Sequence, residues 1–163
     1  MTMETSWESE LAELLGDLLA VQDELLGTLN RKRELLVEAD TDGLAAVNAQ
    51  EERLVGSLQD CMKRREELLA RAKGEGLPST SIRALAAALP KAQRGPVNER
   101  VREAGSRARL LKHQSLTNWV VVQRTLIHLS QLLEIIATGG RLQPTYGEGE
   151  PVHASGGLVD RAA

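Results

Sequence analysis

The sequence predicts an all-α fold, in which a long antiparallel helical hairpin, a short helix and a long C-terminal helix form an elongated bundle or coiled coil. Composition is the first reason, because aromatic residues make up only 2% of the 163 residues and Leu, Ala, Glu and Arg dominate. β-sandwiches and barrels depend more heavily on aromatic residues. Periodicity is the second reason, since three stretches repeat apolar residues every three or four positions. The third is the clustering of Gly, Pro and Asp between those stretches, where helices end.

The first helix is expected from about Ser6 to Ala39. Thr5 and Glu8 form a T-x-x-E capping box at its start. One face then carries a continuous apolar stripe, whose members include Leu11, Leu14, Leu18, Val21 and Leu25. The segment 40–43, Asp-Thr-Asp-Gly, has the composition of a turn, and its polar side chains can cap the next helix.

A second amphipathic helix is expected from about Asp42 to Lys73, which completes a hairpin over residues 6–73. Its apolar stripe includes the single cysteine, Cys61, together with Val47, Leu54 and Leu68. The short turn before it predicts that the two helices are antiparallel neighbours. We expect Cys61 to be a buried and unreactive thiol, because no histidine near it in the sequence stands out as a base.

The rest of the chain is expected to form a short helix over 80–89, a long helix over 97–138 and a flexible tail over 141–163. Gly74 to Pro78 separates the second helix from the short one, and Gly95-Pro96 is expected to mark a further break before the long helix. The tail lacks apolar periodicity and is rich in Gly, Pro and Glu. Residues 1–140 are therefore expected to form one helical domain.

Charge is distributed unevenly along the chain. Residues 1–42 contain 11 acidic and 3 basic residues, whereas residues 94–141 contain 8 basic and 3 acidic residues. The first and last long helices are therefore expected to pack side by side. A basic cluster in the last helix has no interleaved aromatic residues, and the net charge is −3, so nucleic-acid binding is not expected. The cluster consists of Arg100, Arg102, Arg107, Arg109 and Lys112.

The sequence contains little that could support catalysis, so we expect no enzyme activity, no cofactor and no metal site. His113 and His128 are fifteen residues apart on one predicted helix, which places them over about 20 Å apart, too far to share a metal ion. No phosphate-binding or dinucleotide motif occurs. The polar N-terminus does not resemble a signal peptide, and no uninterrupted apolar run approaches the length of about 18 residues that spans a bilayer. We therefore expect a cytoplasmic protein without membrane insertion.

Residues 116–137 are apolar over more of the helix circumference than one packing seam needs. Such a helix is either buried centrally in a bundle or shared with a partner. If it is shared, the candidate contact residues are Trp119, Val122, Leu126, Leu129, Leu133 and Ile136.

The order of these elements, together with short motifs at the turn and in the tail, resembles the FlgN-type flagellar export chaperones. The turn contains residues 38–44, Glu-Ala-Asp-Thr-Asp-Gly-Leu. The tail contains residues 144–147, Pro-Thr-Tyr-Gly, and ends with residues 158–163, Leu-Val-Asp-Arg-Ala-Ala. The resemblance covers nearly the whole chain.

The resemblance implies a chaperone of type III secretion that acts in bacterial flagellum assembly. Such chaperones bind C-terminal helical segments of hook-associated proteins (the hook–filament junction proteins), protect them from degradation and premature assembly, and deliver them to the cytosolic domain of the export gate. It further implies that Tyr146 docks on the gate, although a tail aromatic that folds back onto the helices is the alternative. The alternative function is a structural or tethering coiled coil, as a homodimer, without a secreted client.

Overall fold

A computed structural model describes the backbone of residues 2–139 and the side chains of residues 7–139. Over these residues the fold is all-α, as predicted, and it contains no strand. Its helices are α1 (Thr2–Glu38), α2 (Thr41–Gly74), α3 (Ile82–Ala87) and α4 (Lys91–Thr138). The chain consists of two compact units, Met1–Val122 and Gln123–Ala163, and α4 contributes to both. The expected tail, with Tyr146, lies outside the described residues.

A tight turn joins α1 to α2. Ala39 adopts a positive φ of 54°, which lets the N–H of Asp40 donate to the carbonyl of Leu35 at 3.1 Å. Asp40 then caps α2, because its carboxylate accepts a hydrogen bond from the N–H of Gly43 at 2.9 Å. The turn thus lies where the sequence predicts it, and its geometry makes α1 and α2 neighbours.

The core of the Met1–Val122 unit consists of two apolar clusters. The larger one is centred on fully buried Leu11, Leu85 and Val97, so it joins α1, α3 and the first part of α4. The smaller one brings together Leu25 and Leu29 of α1, Leu54 of α2 and Leu111 of α4. Burial of these side chains, at about 25 cal/mol per Å² of apolar surface, is the main force that holds the unit together.

Polar contacts fix the register of α1 against α4 within this unit. Arg107 forms an ion pair with Asp23 at 2.9 Å, and the side chain of Arg100 donates to the carbonyl of Ala12 at 3.0 Å. These contacts follow the predicted charge complementarity of the two helices. Ion pairs of this kind contribute only about 0–1 kcal/mol each, so they select the arrangement while apolar burial stabilises it.

Two expected helix starts were wrong. Helix α1 already includes Thr2, so it begins earlier than the expected start near Ser6. Helix α4 begins at Lys91 and continues through Gly95 and Pro96, which were expected to break it. Pro96 is the sixth residue of α4, so its missing N–H removes one hydrogen bond of the helix. The loss lies close to the start of α4, where the first four N–H groups have no partner within the helix.

Candidate partner-binding surface on α4

The last part of the Met1–Val122 unit exposes a tryptophan beside a small cavity. Trp119 is 59% exposed, and Val122, about one turn later, is less exposed and half-buried. Both residues line a cavity of about 200 Å³ together with Leu29 and Asn118. Of the predicted contact residues in this unit, Trp119 is therefore accessible to a partner, and Val122 is accessible through the cavity.

The part of α4 that belongs to the second unit exposes most of its large apolar side chains. The four predicted residues here are Leu126, Leu129, Leu133 and Ile136, with exposed fractions of 54%, 48%, 65% and 76%. Their spacing of three, four and three residues keeps them on one face of the helix. Leu132 and Ile127 are also exposed, which widens the apolar area around the helix. We call the set Leu126, Leu129, Leu132, Leu133 and Ile136 the α4 apolar face.

The side opposite the α4 apolar face carries polar side chains around one exposed isoleucine, Ile127. Gln131 is two residues from both Leu129 and Leu133, which places it about 160–200° around the helix from them. Arg124 lies on that side as well, whereas His128 lies at its edge, one turn before Leu132, and all three are exposed. The segment is therefore amphipathic, with a seam of the kind that helix–helix recognition uses.

A longer stretch of α4, which begins before Gln123, is apolar enough to resemble a membrane span. Helix α4 contains an 18-residue window with a mean hydropathy of 1.3, none of it buried in the protein. Polar residues occur within this window, so it is consistent with the absence of an uninterrupted apolar run of that length. Length and composition alone do not distinguish a membrane span from a helix that binds a protein partner, because both expose apolar side chains.

The titratable groups singled out in the sequence are not gathered into a reactive site. His113 and His128 are both exposed on α4. Cys61 is 5% exposed in the larger apolar cluster, and burial raises the pKa of its thiol, although Arg64 acts in the opposite direction. A raised pKa leaves the thiol protonated at neutral pH, which suits the predicted unreactive role.

Comparison with known families relates this helical architecture to a defined group. The FlgN protein family matches residues 1–150. The chain belongs to the FlgN family. Membership makes this FlgN-family chain a chaperone of flagellum biogenesis and type III export. No curated protein and no solved structure matches this FlgN-family chain.

Two of the three buried polar side chains among the described residues of the FlgN-family chain, Asn118 and Gln22, were not predicted from the sequence. Both occupy positions in the apolar rhythm of their helices, and both are 4% exposed. The side chain of Asn118 donates to the carbonyl of Leu29 at 2.9 Å, and that of Gln22 donates to the carbonyl of Ala104 at 3.1 Å. A polar residue at a core position was the available signal, because burial without a hydrogen bond would be costly.

Proposed function

We propose that this FlgN-family chain binds the C-terminal helical segments of hook-associated proteins in the cytosol and delivers them to the flagellar export gate. The observation that carries the proposal is the α4 apolar face, whose five members are 42–76% exposed. Contiguous exposed apolar surface on a soluble chain usually marks a site for a protein partner. Family membership supplies the class of partner, because FlgN proteins are export chaperones.

The proposed client contact comprises Trp119, Val122, Leu126, Leu129, Leu133 and Ile136. An amphipathic client helix packs its apolar stripe on these side chains, which removes both apolar surfaces from water. The client surface that drives filament-end assembly is thereby masked until release. This mechanism needs only reversible association, without bond chemistry or a cofactor.

A charge placed in the apolar face tests the proposal. Leu126→Glu puts a carboxylate into the contact, which costs several kcal/mol and should weaken client binding by more than about a hundredfold. Gln131→Glu introduces the same charge on the polar side and should leave the affinity unchanged. Titration calorimetry with the C-terminal helical segment of a hook-associated protein measures both, and circular dichroism verifies that both variants remain helical.

Unchanged affinity of Leu126→Glu for the client would contradict the proposed site. Unfolding of this variant would also contradict it, since it would show that Leu126 belongs to a structural core. Because Leu126 is 54% exposed, we expect both substituted chains to fold.

Self-association is the second candidate function, and the same face motivates it. The alternating spacing of three and four residues also suits a homodimeric coiled coil. Sedimentation equilibrium of the free protein distinguishes the two. A stable dimer that Leu126→Glu dissociates, with no binding of hook-associated segments, would favour a structural or tethering role.

Delivery to the export gate is the second half of the proposal, and Tyr146 is its proposed docking residue. Tyr146 lies outside the described residues, so the proposal rests on its sequence context. It follows the end of α4 at Thr138 in the sequence, and Pro144 and Gly147 flank it within the Pro-Thr-Tyr-Gly motif. A tyrosine combines a large apolar ring with a hydroxyl and has few rotatable bonds to immobilise, which suits a transient contact.

A further inference from the structure

A cavity of about 390 Å³ in the Met1–Val122 unit is lined by α1, α2 and α4. Its volume falls within the range of about 300–1,000 Å³ that is typical of ligand sites. We call it the α2–α4 groove, and its lining includes Gln22 of α1, Leu58 and Met62 of α2, and Ala104, Gly105 and Ala108 of α4. The groove is distinct from the proposed client contact, since no residue belongs to both.

The walls of the groove suit a helix. On α2 it extends from Leu58 to Arg65, and on α4 from Ala104 to Leu111, which is about 10 Å or two helical turns on each side. The α4 side of the groove has little side-chain bulk, since a Cβ built on Gly105 would approach only a guanidinium nitrogen of Arg109, at 3.8 Å. Small side chains of this kind let a second backbone approach closely.

A buried polar atom in the groove indicates that the occupant is not purely apolar. Gln22 is 4% exposed, and its amide nitrogen is satisfied by the carbonyl of Ala104. Its amide oxygen is buried and accepts no hydrogen bond from the residues that the structure describes. An unsatisfied buried acceptor destabilises the fold, and a donor from a partner would relieve that cost. A partner can reach this oxygen only if side chains of the groove move. Met62, which is 44% exposed and also lines the groove, has a flexible side chain that can do so.

The charged groups at the groove are basic. Arg65 lines it and forms no ion pair within residues 7–139. The guanidinium of Arg109 lies over Gly105 and donates to the hydroxyl of Ser106 at 3.2 Å. Arg107, by contrast, is engaged with Asp23 and Glu103. The groove therefore offers two arginines that can pair with carboxylates of an occupant.

We propose that the α2–α4 groove binds two turns of an acidic amphipathic helix from a protein partner. Its apolar side chains fill the cavity, its carboxylates pair with Arg65 and Arg109, and a polar side chain donates to the amide oxygen of Gln22. Helix α1 of a second copy is acidic but does not fit, because its apolar residues Leu11, Leu14 and Leu15 are already buried in its own fold. The site is additional to the proposed client face and does not depend on it.

The test uses a defined probe and the full chain. The probe is an acetylated and amidated 15-residue helical peptide of Leu, Ala and Glu with one central Asn as side-chain donor, labelled for fluorescence anisotropy, and the matched peptide has Lys at every Glu position. We expect the Glu peptide to bind at least about tenfold more tightly than the Lys peptide. Arg65→Glu combined with Arg109→Glu should reverse this preference. Ala108→Trp, which fills the cavity without changing the charge, should weaken binding of the Glu peptide about tenfold or more.

Leu126→Glu separates this groove from the α4 apolar face and should change the affinity for the Glu peptide less than about twofold. Equal binding of the two peptides would overturn the proposal. So would loss of Glu-peptide binding in Leu126→Glu but not in the double arginine variant. A dimer in sedimentation that the double arginine variant dissociates would also overturn it, since it would identify a second copy as the occupant.

Discussion

The side-chain amide of Asn118 on α4 donates to the backbone carbonyl of Leu29 on α1 at 2.9 Å, and the side chain of Asn118 is buried. The oxygen of the same amide accepts from the guanidinium of Arg33 at 3.1 Å. The amide of Asn118 thus makes two hydrogen bonds from α4 to α1, one as donor and one as acceptor. It fixes their relative position in the part of the Met1–Val122 unit where Trp119 is exposed.

Asn118→Ala should destabilise the protein by about 1–3 kcal/mol, because it removes both hydrogen bonds and leaves a small cavity. Urea denaturation followed by circular dichroism measures the free energy of unfolding. His113→Ala on the same helix is the control, since His113 is exposed, and should change stability by less than about 0.5 kcal/mol. Equal stabilities of the two variants would show that the amide contacts contribute nothing net.

Two glycines of α2 should respond to alanine with opposite signs. A Cβ at Gly43 would lie 2.7 Å from the carboxylate of Asp40 and 2.8 Å from a methyl group of Leu35. A Cβ at Gly56 would meet nothing within 4 Å. Gly43→Ala should therefore destabilise the chain by about 1–2 kcal/mol through loss of the Asp40 cap, whereas Gly56→Ala should stabilise it by about 0.5–1 kcal/mol. Thermal denaturation of both variants measures the difference, and a stabilising Gly43→Ala would show that the cap is dispensable.

The Cys61 thiol should make stability depend on alkaline pH. Burial raises its pKa in the folded state, so the folded chain keeps the proton where the unfolded chain loses it. The contribution is therefore fully present below the unfolded pKa of about 8.5 and is lost as pH rises through the folded value. The difference in unfolding free energy between the wild-type chain and Cys61→Ala should thus shrink between pH 8 and pH 10. A difference independent of pH would contradict a raised pKa.

Chemical labelling gives a second measure of the same thiol. Cys61 is 5% exposed, so a disulfide reagent at pH 8 should react with it only through opening of the fold. We expect a rate more than about a hundredfold below that in concentrated urea. A comparable rate in both conditions would show that the thiol is accessible in the native state.

Tyr146→Ala should separate docking from client binding. Tyr146 lies beyond the described residues, and its proposed role predicts weaker binding to the cytosolic domain of the export gate. Client affinity should be unchanged, and thermal stability should change by less than about 1 kcal/mol. Surface plasmon resonance with the immobilised gate domain measures the first effect. Normal gate binding, or a larger loss of stability, would show that the tyrosine does not act as a docking residue.

Periodicity and turn chemistry predicted the all-α fold and the turn at Asp40, because helix signals over thirty residues outweigh local exceptions. Pro96 is such an exception. Its missing N–H predicts a helix break, whereas burial of Val97 directly after it stabilises the continuous helix. The members of the α4 apolar face were predictable because apolar residues repeat there every three or four positions, although the sequence left open whether they are covered. Gln22 and Arg65 were not, since their importance depends on contacts between helices that are far apart in sequence.

The connection between α1 and α2 is only two residues long, whereas the bond between Gln22 and Ala104 joins positions 82 residues apart. Loop-closure entropy therefore favours formation of the hairpin before α4 docks on α1. During synthesis the hairpin leaves the ribosome first. Ala104 comes 30 residues after the end of α2 at Gly74, so at about 5–20 residues per second it follows roughly 1.5–6 s later. For that interval the apolar side of α1 that α4 will cover is open to water. The nascent chain of an export chaperone is then itself a substrate for general chaperones.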